Sequence, residues 1–137
     1  MPDRIYTRPL LDKLGVKPGS RVVIAGVEDD TFLRLLRDRT SDVTILDADA
    51  TAPPGTDLVF LAADSVQELA RIGSLRKALV PDGAIWIVSR KGRAATIRDV
   101  DVIEASISFD LVDNKVVAFS ETHTALRAVI PRALRPR

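Results

Sequence analysis

Arg21-Val22-Val23-Ile24-Ala25-Gly26-Val27-Glu28-Asp29-Asp30 joins a continuous apolar run, a single glycine and an acidic turn. The run does not alternate with polar residues, which is what a strand covered on both faces requires. Asp29, Asp30 or Thr31 can cap a following helix, with Phe32, Leu35 and Leu36 on its apolar face and Arg34, Arg37 and Asp38 on the other. A buried strand, a glycine turn and a capped helix form the start of an α/β unit, and the rest of the chain can be laid beside it.

Before this stretch, Met1–Thr7 carries no pattern and reads as loose. Thr7-Arg8-Pro9 can start a short helix with Leu10, Leu11 and Leu14 as its apolar side and Gly15 as its stop. After it, Val43–Leu46 reads as a second strand ending in Asp47. Pro53-Pro54-Gly55 keeps residues 48–56 irregular. Leu58–Ala62 is a third buried strand. Ser65-Val66-Gln67-Glu68 fits a capping box, and one helix is expected through Leu69, Ile72, Leu75 and Leu79. Gly73 inside it costs about 1 kcal/mol relative to alanine, which close packing on the sheet would explain. Pro81-Asp82-Gly83 reads as a turn, and Ala84–Val88 as the fourth strand.

Thr96–Ser108 is ambiguous. Ile97, Val100, Ile103 and Ile107 give a helical face, whereas Ile103, Ala105, Ile107 and Phe109 alternate like a strand. Helix is preferred because parallel strands need a crossover. Asp113-Asn114 reads as a turn. Lys115–Phe119 and Thr124–Ile130 form a hairpin across Ser120-Glu121-Thr122-His123, so the last strand runs antiparallel. Residues 132–137 read as a solvated basic tail.

This order predicts one α/β domain over residues 1–137, a Rossmann-like three-layer fold with a mostly parallel sheet of about six strands and a C-terminal antiparallel hairpin. The helix-free link from Asp47 to Thr56 must run back along a strand of about 17 Å and step across about 10 Å of sheet. Its ten residues reach roughly 33 Å when extended, so the crossing is feasible.

The totals narrow the function. Apolar residues make up 46% and charged residues 28%, and 20 basic against 19 acidic residues leave +1. That balance, with no aromatic platform, argues against nucleic acid as the partner. No apolar run approaches the ~20 residues of a membrane span. The charged start (Asp3, Arg4, Arg8, Asp12) does not read as a signal peptide, and there are no cysteines. A cytoplasmic setting without membrane association is the expectation.

Ligands of open α/β sheets sit beyond the carboxyl ends of the strands. The residues expected there are Gly26, Glu28, Asp29, Asp47, Asp64, Ser89, Arg90, Lys91, Glu121 and His123. Gly26 with Glu28, Asp47 and Asp64 is the candidate cofactor set. Arg90 and Lys91 can bind an anion, and His123 with Glu121 can act as a base and its partner. Each also has a plainer reading: helix capping for Asp29 and Asp64, solvated loops for Asp47, Arg90 and Lys91, and hairpin-turn bonding for Glu121 and His123. No spacing specifies a metal site, no nucleophile signature is present, and Trp86 reads as core.

Several motifs resemble class I S-adenosylmethionine-dependent methyltransferases. Leu14–Val22 looks like the approach to their first strand, and Leu79-Val80-Pro81-Asp82-Gly83-Ala84 like the turn before their fifth. Over residues 10–131 the chain is closer still to small bacterial proteins of unassigned function with a degenerate form of that fold. Leu11–Gly19, Leu111–Val116 and Glu121–Arg127 carry that match. The family loop runs acid-x-Gly-x-Gly-x-Gly. Here Ile24 stands at the acid, Gly26 is kept, and Glu28 and Asp30 replace the later glycines. One strand–helix unit after the second strand is lacking, while Asp47 stands where the family's acid binds ribose hydroxyls. The resemblance implies a methyltransferase-like domain without catalysis, a pseudoenzyme that binds a small ligand or a protein partner. The alternatives are an active methyltransferase using S-adenosylmethionine, and an interaction module that pairs through its sheet edge or hairpin, including with a second copy of itself.

Overall fold

The computed structural model describes residues 9–135. The expected loose start, the Thr7 cap and the last two residues of the tail lie outside the described residues. Six strands form one sheet: β1 (Val22–Ala25), β2 (Val43–Ile45), β3 (Thr56–Ala62), β4 (Leu79–Arg90), β5 (Val112–Ala118) and β6 (His123–Val129), in the order β2-β1-β3-β4-β6-β5. The first four are mutually parallel, and β6 runs antiparallel to both β4 and β5. The helices are α1 (Leu10–Lys13), α2 (Asp30–Arg39), α3 (Val66–Leu69), α4 (Ile72–Arg76) and α5 (Asp99–Ser108). Among the described residues no helix is long and apolar enough to cross a membrane.

The unbroken apolar runs are explained by two cores. Val22 and Ile24 of β1, Phe60 of β3 and Trp86 of β4 face a cluster completed by Leu11 and Leu14 near α1 and by Phe32 and Leu36 of α2. Val23 and Ala25, Val59 and Leu61, and Ile85 and Ile87 face the opposite cluster, built with Leu69, Ile72 and Leu75 of α3 and α4 and with Val102 of α5. Successive side chains of a strand point to opposite faces, so only an all-apolar run satisfies both layers. Each fully buried Val, Leu or Ile contributes about 1.5–3 kcal/mol. The link between β2 and β3 crosses β1 without a helix, as its length allows.

The acidic turn works as a cap. Asp29 Oδ1 accepts the Phe32 N–H at 2.9 Å, satisfying a donor that the helix start leaves free. Beyond the other end of α2, the Thr40 hydroxyl donates to the Ser20 carbonyl at 2.7 Å and ties the helix to the approach to β1.

Several local expectations are corrected. Leu35 is 45% exposed, so α2 buries Phe32 and Leu36, with Leu33 partly buried, instead of 32, 35 and 36. The helix expected from residue 65 to 79 is two short helices, and Leu79-Val80 already belongs to β4. Leu69, Ile72, Leu75 and Ala78 are all buried. A spacing of three suits tighter winding than the 3.6 residues of an α-helix. Backbone bonds at that spacing follow, including Arg71 to Glu68, Gly73 to Ala70 and Ala78 to Leu75. Gly73 meets the ring of Phe109, not the sheet.

Pro81-Asp82-Gly83 lies within β4 as an irregularity: Thr56 pairs with Leu79, and Leu58 with Ala84. Asp113-Asn114 is likewise a register shift inside β5 and not a turn before it. The ambiguous segment is a helix from Asp99, and Thr96 is not its cap; Asp101 accepts the Arg98 N–H at 2.8 Å. Its inner side is Val102 and Ser106, while Val100 and Ile107 are exposed. β2 is an incompletely buried edge, with Ile45 52% exposed. In the tail, Arg132–Leu134 forms a short 3-10 turn, and Arg135 Nε donates to the Ile130 carbonyl at 2.9 Å.

Candidate functional site

At the carboxyl end of β1 the chain turns on Gly26, with φ +88°. That left-handed backbone is costly for any residue carrying a Cβ. A Cβ there would also stand 3.4 Å from Cβ of Ala62, at the end of β3. Two cavities meet at these residues. One, of about 440 Å³, is lined by Glu28 and Asp29 after β1, Asp64 after β3, Arg90 at the end of β4, and Phe119, Thr122 and His123 of the hairpin. The other, of about 420 Å³, is bordered by Ala48, Gln67, Glu68 and Arg71, and shares Gly26 and Ala62 with the first. Their volumes fall in the range of small-molecule sites, ~300–1,000 Å³.

Asp64 is the best-connected polar residue of this rim. Its Oδ1 accepts the Arg90 N–H at 2.9 Å, and its Oδ2 lies 3.7 Å from Arg90 Nε. Its own N–H donates to Glu68 Oε1 at 2.8 Å, and its carbonyl accepts from the Thr96 hydroxyl. The capping box is therefore displaced: Ser65 Oγ accepts the Glu68 N–H at 3.1 Å, while Glu68 reaches back to the N–H of Asp64 instead of Ser65. The Asp64–Arg90 link ties the ends of β3 and β4 together beside the cavity that both residues line.

His123 pairs with Arg90 across the β4–β6 ladder. Its Nδ1 lies 2.7 Å from Thr122 Oγ1, and its N–H donates to Ser120 Oγ at 3.1 Å. Nε2 is left as the ring nitrogen with no protein partner among the described residues.

The expected rim residues are thus divided. Gly26, Glu28, Asp29, Asp64, Arg90 and His123 line one cavity. Ser89 is buried in the β4–β6 ladder beside Thr124. The Lys91 N–H donates to the Thr122 carbonyl at 3.0 Å. Glu121 is exposed at the hairpin tip, outside the lining of either cavity. Asp47 is exposed too; its carbonyl accepts from Arg71 Nη2 at 2.6 Å, and the neighbouring Ala48 borders the second cavity. Sequence reasoning missed Arg71, Gln67 and Thr122. Arg71 had one available signal, its place on the helical segment that follows the third strand. Among the described residues no three His, Cys, Asp or Glu side chains assemble as a metal-ligand set.

No protein-family model matches the chain, and no curated protein matches it. Solved structures do. A SAM-dependent methyltransferase from Aquifex aeolicus superposes with a TM-score of 0.68 at 14% identity, over 95% of this chain and 89% of its own. A SAM-dependent O-methyltransferase from Thermotoga maritima gives 0.66 at 12% identity, over 90% of this chain and 64% of its own. The pyocyanin biosynthetic protein PhzM gives 0.56 at 15% identity; this chain is covered over 88% but spans only 53% of that protein. At such identities the likeness establishes architecture. The six strands, the parallel run from β1 to β4 and the inserted antiparallel β6 form a methyltransferase-like Rossmann fold.

Proposed function

We propose that the chain is an S-adenosylmethionine-dependent methyltransferase that holds its cofactor in the groove on either side of Gly26. The observation that carries this reading is the left-handed Gly26 at the carboxyl end of a central strand, with a ligand-sized cavity on each side of it. The residues present fit the group. A Cβ at Gly26 would fill the space against Ala62, and glycine lets a ligand approach the backbone there. Glu28 offers negative charge to the cationic parts of the cofactor and Arg71 positive charge to its carboxylate, while Asp64 and Arg90 are paired with each other beside them. S-adenosylmethionine supplies an electrophilic methyl group on a positively charged sulfur. His123 supports the reaction from the protein side: in the tautomer whose Nδ1–H donates to Thr122 Oγ1, Nε2 can take the proton of a methyl acceptor.

A second reading is ligand binding at the same groove without catalysis. Glu28 and Asp30 favour it, because they stand where the related loop has glycines. Thermal unfolding with S-adenosylmethionine and with S-adenosylhomocysteine tests the first reading. Ligand at about 100 times its dissociation constant adds about 2.7 kcal/mol, and Gly26→Val should remove the gain while the variant stays folded. No stabilisation by either compound would sink the methyltransferase reading. Stabilisation without conversion of S-adenosylmethionine to S-adenosylhomocysteine in a metabolite extract would favour the second.

A further inference from the structure

At the other end of the sheet lies a larger cavity, of about 570 Å³, between the segment that follows α1 and the amino-terminal parts of β3 and β4. Its sheet wall contains an unusual pair. Arg127 sits in the middle of β6 on the same face as its neighbours Ala125 and Val129, which are buried. Its ladder partner on one side is Trp86, with no exposed surface, and on the other is Lys115. Two cations therefore stand directly opposite each other on one face of an antiparallel pair, an arrangement that destabilises a sheet unless something neutralises it.

No ion pair among the described residues joins either cation. The Arg127 guanidinium has neither a hydrogen-bond acceptor nor an ion-pair partner among the described residues. Burial, reinforced by the charge of Arg135, pushes its pKa down, the direction expected for a cation desolvated without a counter-charge. Lys115 Nζ donates to the Lys13 carbonyl at 3.0 Å, which draws the α1 segment over the pair, and Lys13 and Lys17 add two more cations to the lining. Three carboxylates also border the cavity. Asp12 is bonded to Arg39 at 3.0 Å, and Asp57 Oδ2 accepts the Arg21 N–H at 2.8 Å. Asp82 is an exposed residue of the β4 irregularity. Asp12 is thus paired with Arg39, which leaves the two carboxylates of Asp57 and Asp82 against four cations.

We propose that this cavity is a binding site for a small polyanion, a molecule bearing two or more phosphate or carboxylate groups, with Arg127 and Lys115 as its principal contacts. The site stands apart from the Gly26 groove and does not depend on what occupies that groove. Arginine matches the planar oxygen pairs of either anion. A bridging anion turns the repulsion between Arg127 and Lys115 into attraction to a shared ligand.

Isothermal titration of the full chain at low ionic strength, with inorganic pyrophosphate in one series and citrate in another, tests the proposal. Saturable binding of one equivalent is expected, and the probe that binds more tightly distinguishes phosphate from carboxylate chemistry. Arg127→Gln and Lys115→Gln should each weaken it about tenfold or more, while Arg37→Gln, on the exposed side of α2, should leave it unchanged. Circular dichroism checks folding. Lys115 is exposed, so its replacement remains informative even if Arg127→Gln unfolds. Absence of saturable binding by both probes at millimolar concentration, or binding that survives the Lys115 replacement, would overturn the proposal.

Discussion

Trp86 heads the fully buried side chains by size, and it is not only core packing: its Nε1 donates to the Leu14 carbonyl at 3.0 Å. One indole joins the central sheet to the end of α1. Trp86→Phe keeps an aromatic body but leaves that carbonyl without its donor. A buried polar group stripped of its partner costs about 1–3 kcal/mol, and the smaller ring adds a cavity cost of its own. Urea unfolding followed by circular dichroism should show a loss of at least that size; a loss within about 0.5 kcal/mol, the scale of an ordinary surface change, would mean that the bond contributes little. Among the rim residues, Gly26 was legible from local chemistry alone, because an apolar run that must turn on one glycine announces a special backbone. Asp47 was not. Its sequence position ends a strand, but how near its side chain comes to a ligand depends on the course of residues 46–55 and on the Arg71 bond to its carbonyl.

At the scale of the element, the α3–α4 region shows tertiary contact overriding helix propensity. Gly73 reads as a liability that alanine would relieve by about 1 kcal/mol. A Cβ at that position, however, would lie 2.7 Å from Cε1 and 2.9 Å from Cδ1 of Phe109. Gly73→Ala should therefore destabilise the protein by about 1–3 kcal/mol, the usual cost of overpacking. Phe109→Leu in the same chain should recover part of the loss, because the ring is what the methyl strikes. Stabilisation by the single replacement in a melting experiment would refute this. The break between α3 and α4 was readable in principle, since 69, 72, 75 and 78 are spaced by three. The face of α5 was harder. Its apolar residues surround the helix, and only its seating beside α3 and the sheet selected Val102 over Val100.

The whole molecule is one sheet with a core on each face, and β3, β4 and β6 contribute to both. None of these central strands can leave without exposing both layers. Urea unfolding should then be a single transition, with Trp86 fluorescence and far-ultraviolet circular dichroism coinciding; separate midpoints would show that the hairpin or the β2 edge melts independently. The sequence by itself determined the central strands, their succession as parallel units, a helix cap among Asp29, Asp30 and Thr31, and the antiparallel hairpin, because unbroken apolar runs, capping and turn chemistry act within a few residues. The tertiary structure alone decided what faces what across the sheet. Asn114 is the extra residue where the β5 register shifts, so that Asp113 pairs with Ala128 and Lys115 with Arg127. One added residue turns all later side chains of a strand to the other face. Lys115 faces Arg127 because both lie in the unbroken register that runs from the hairpin turn, and the cationic wall is built from residues that, read along the chain, stand twelve apart.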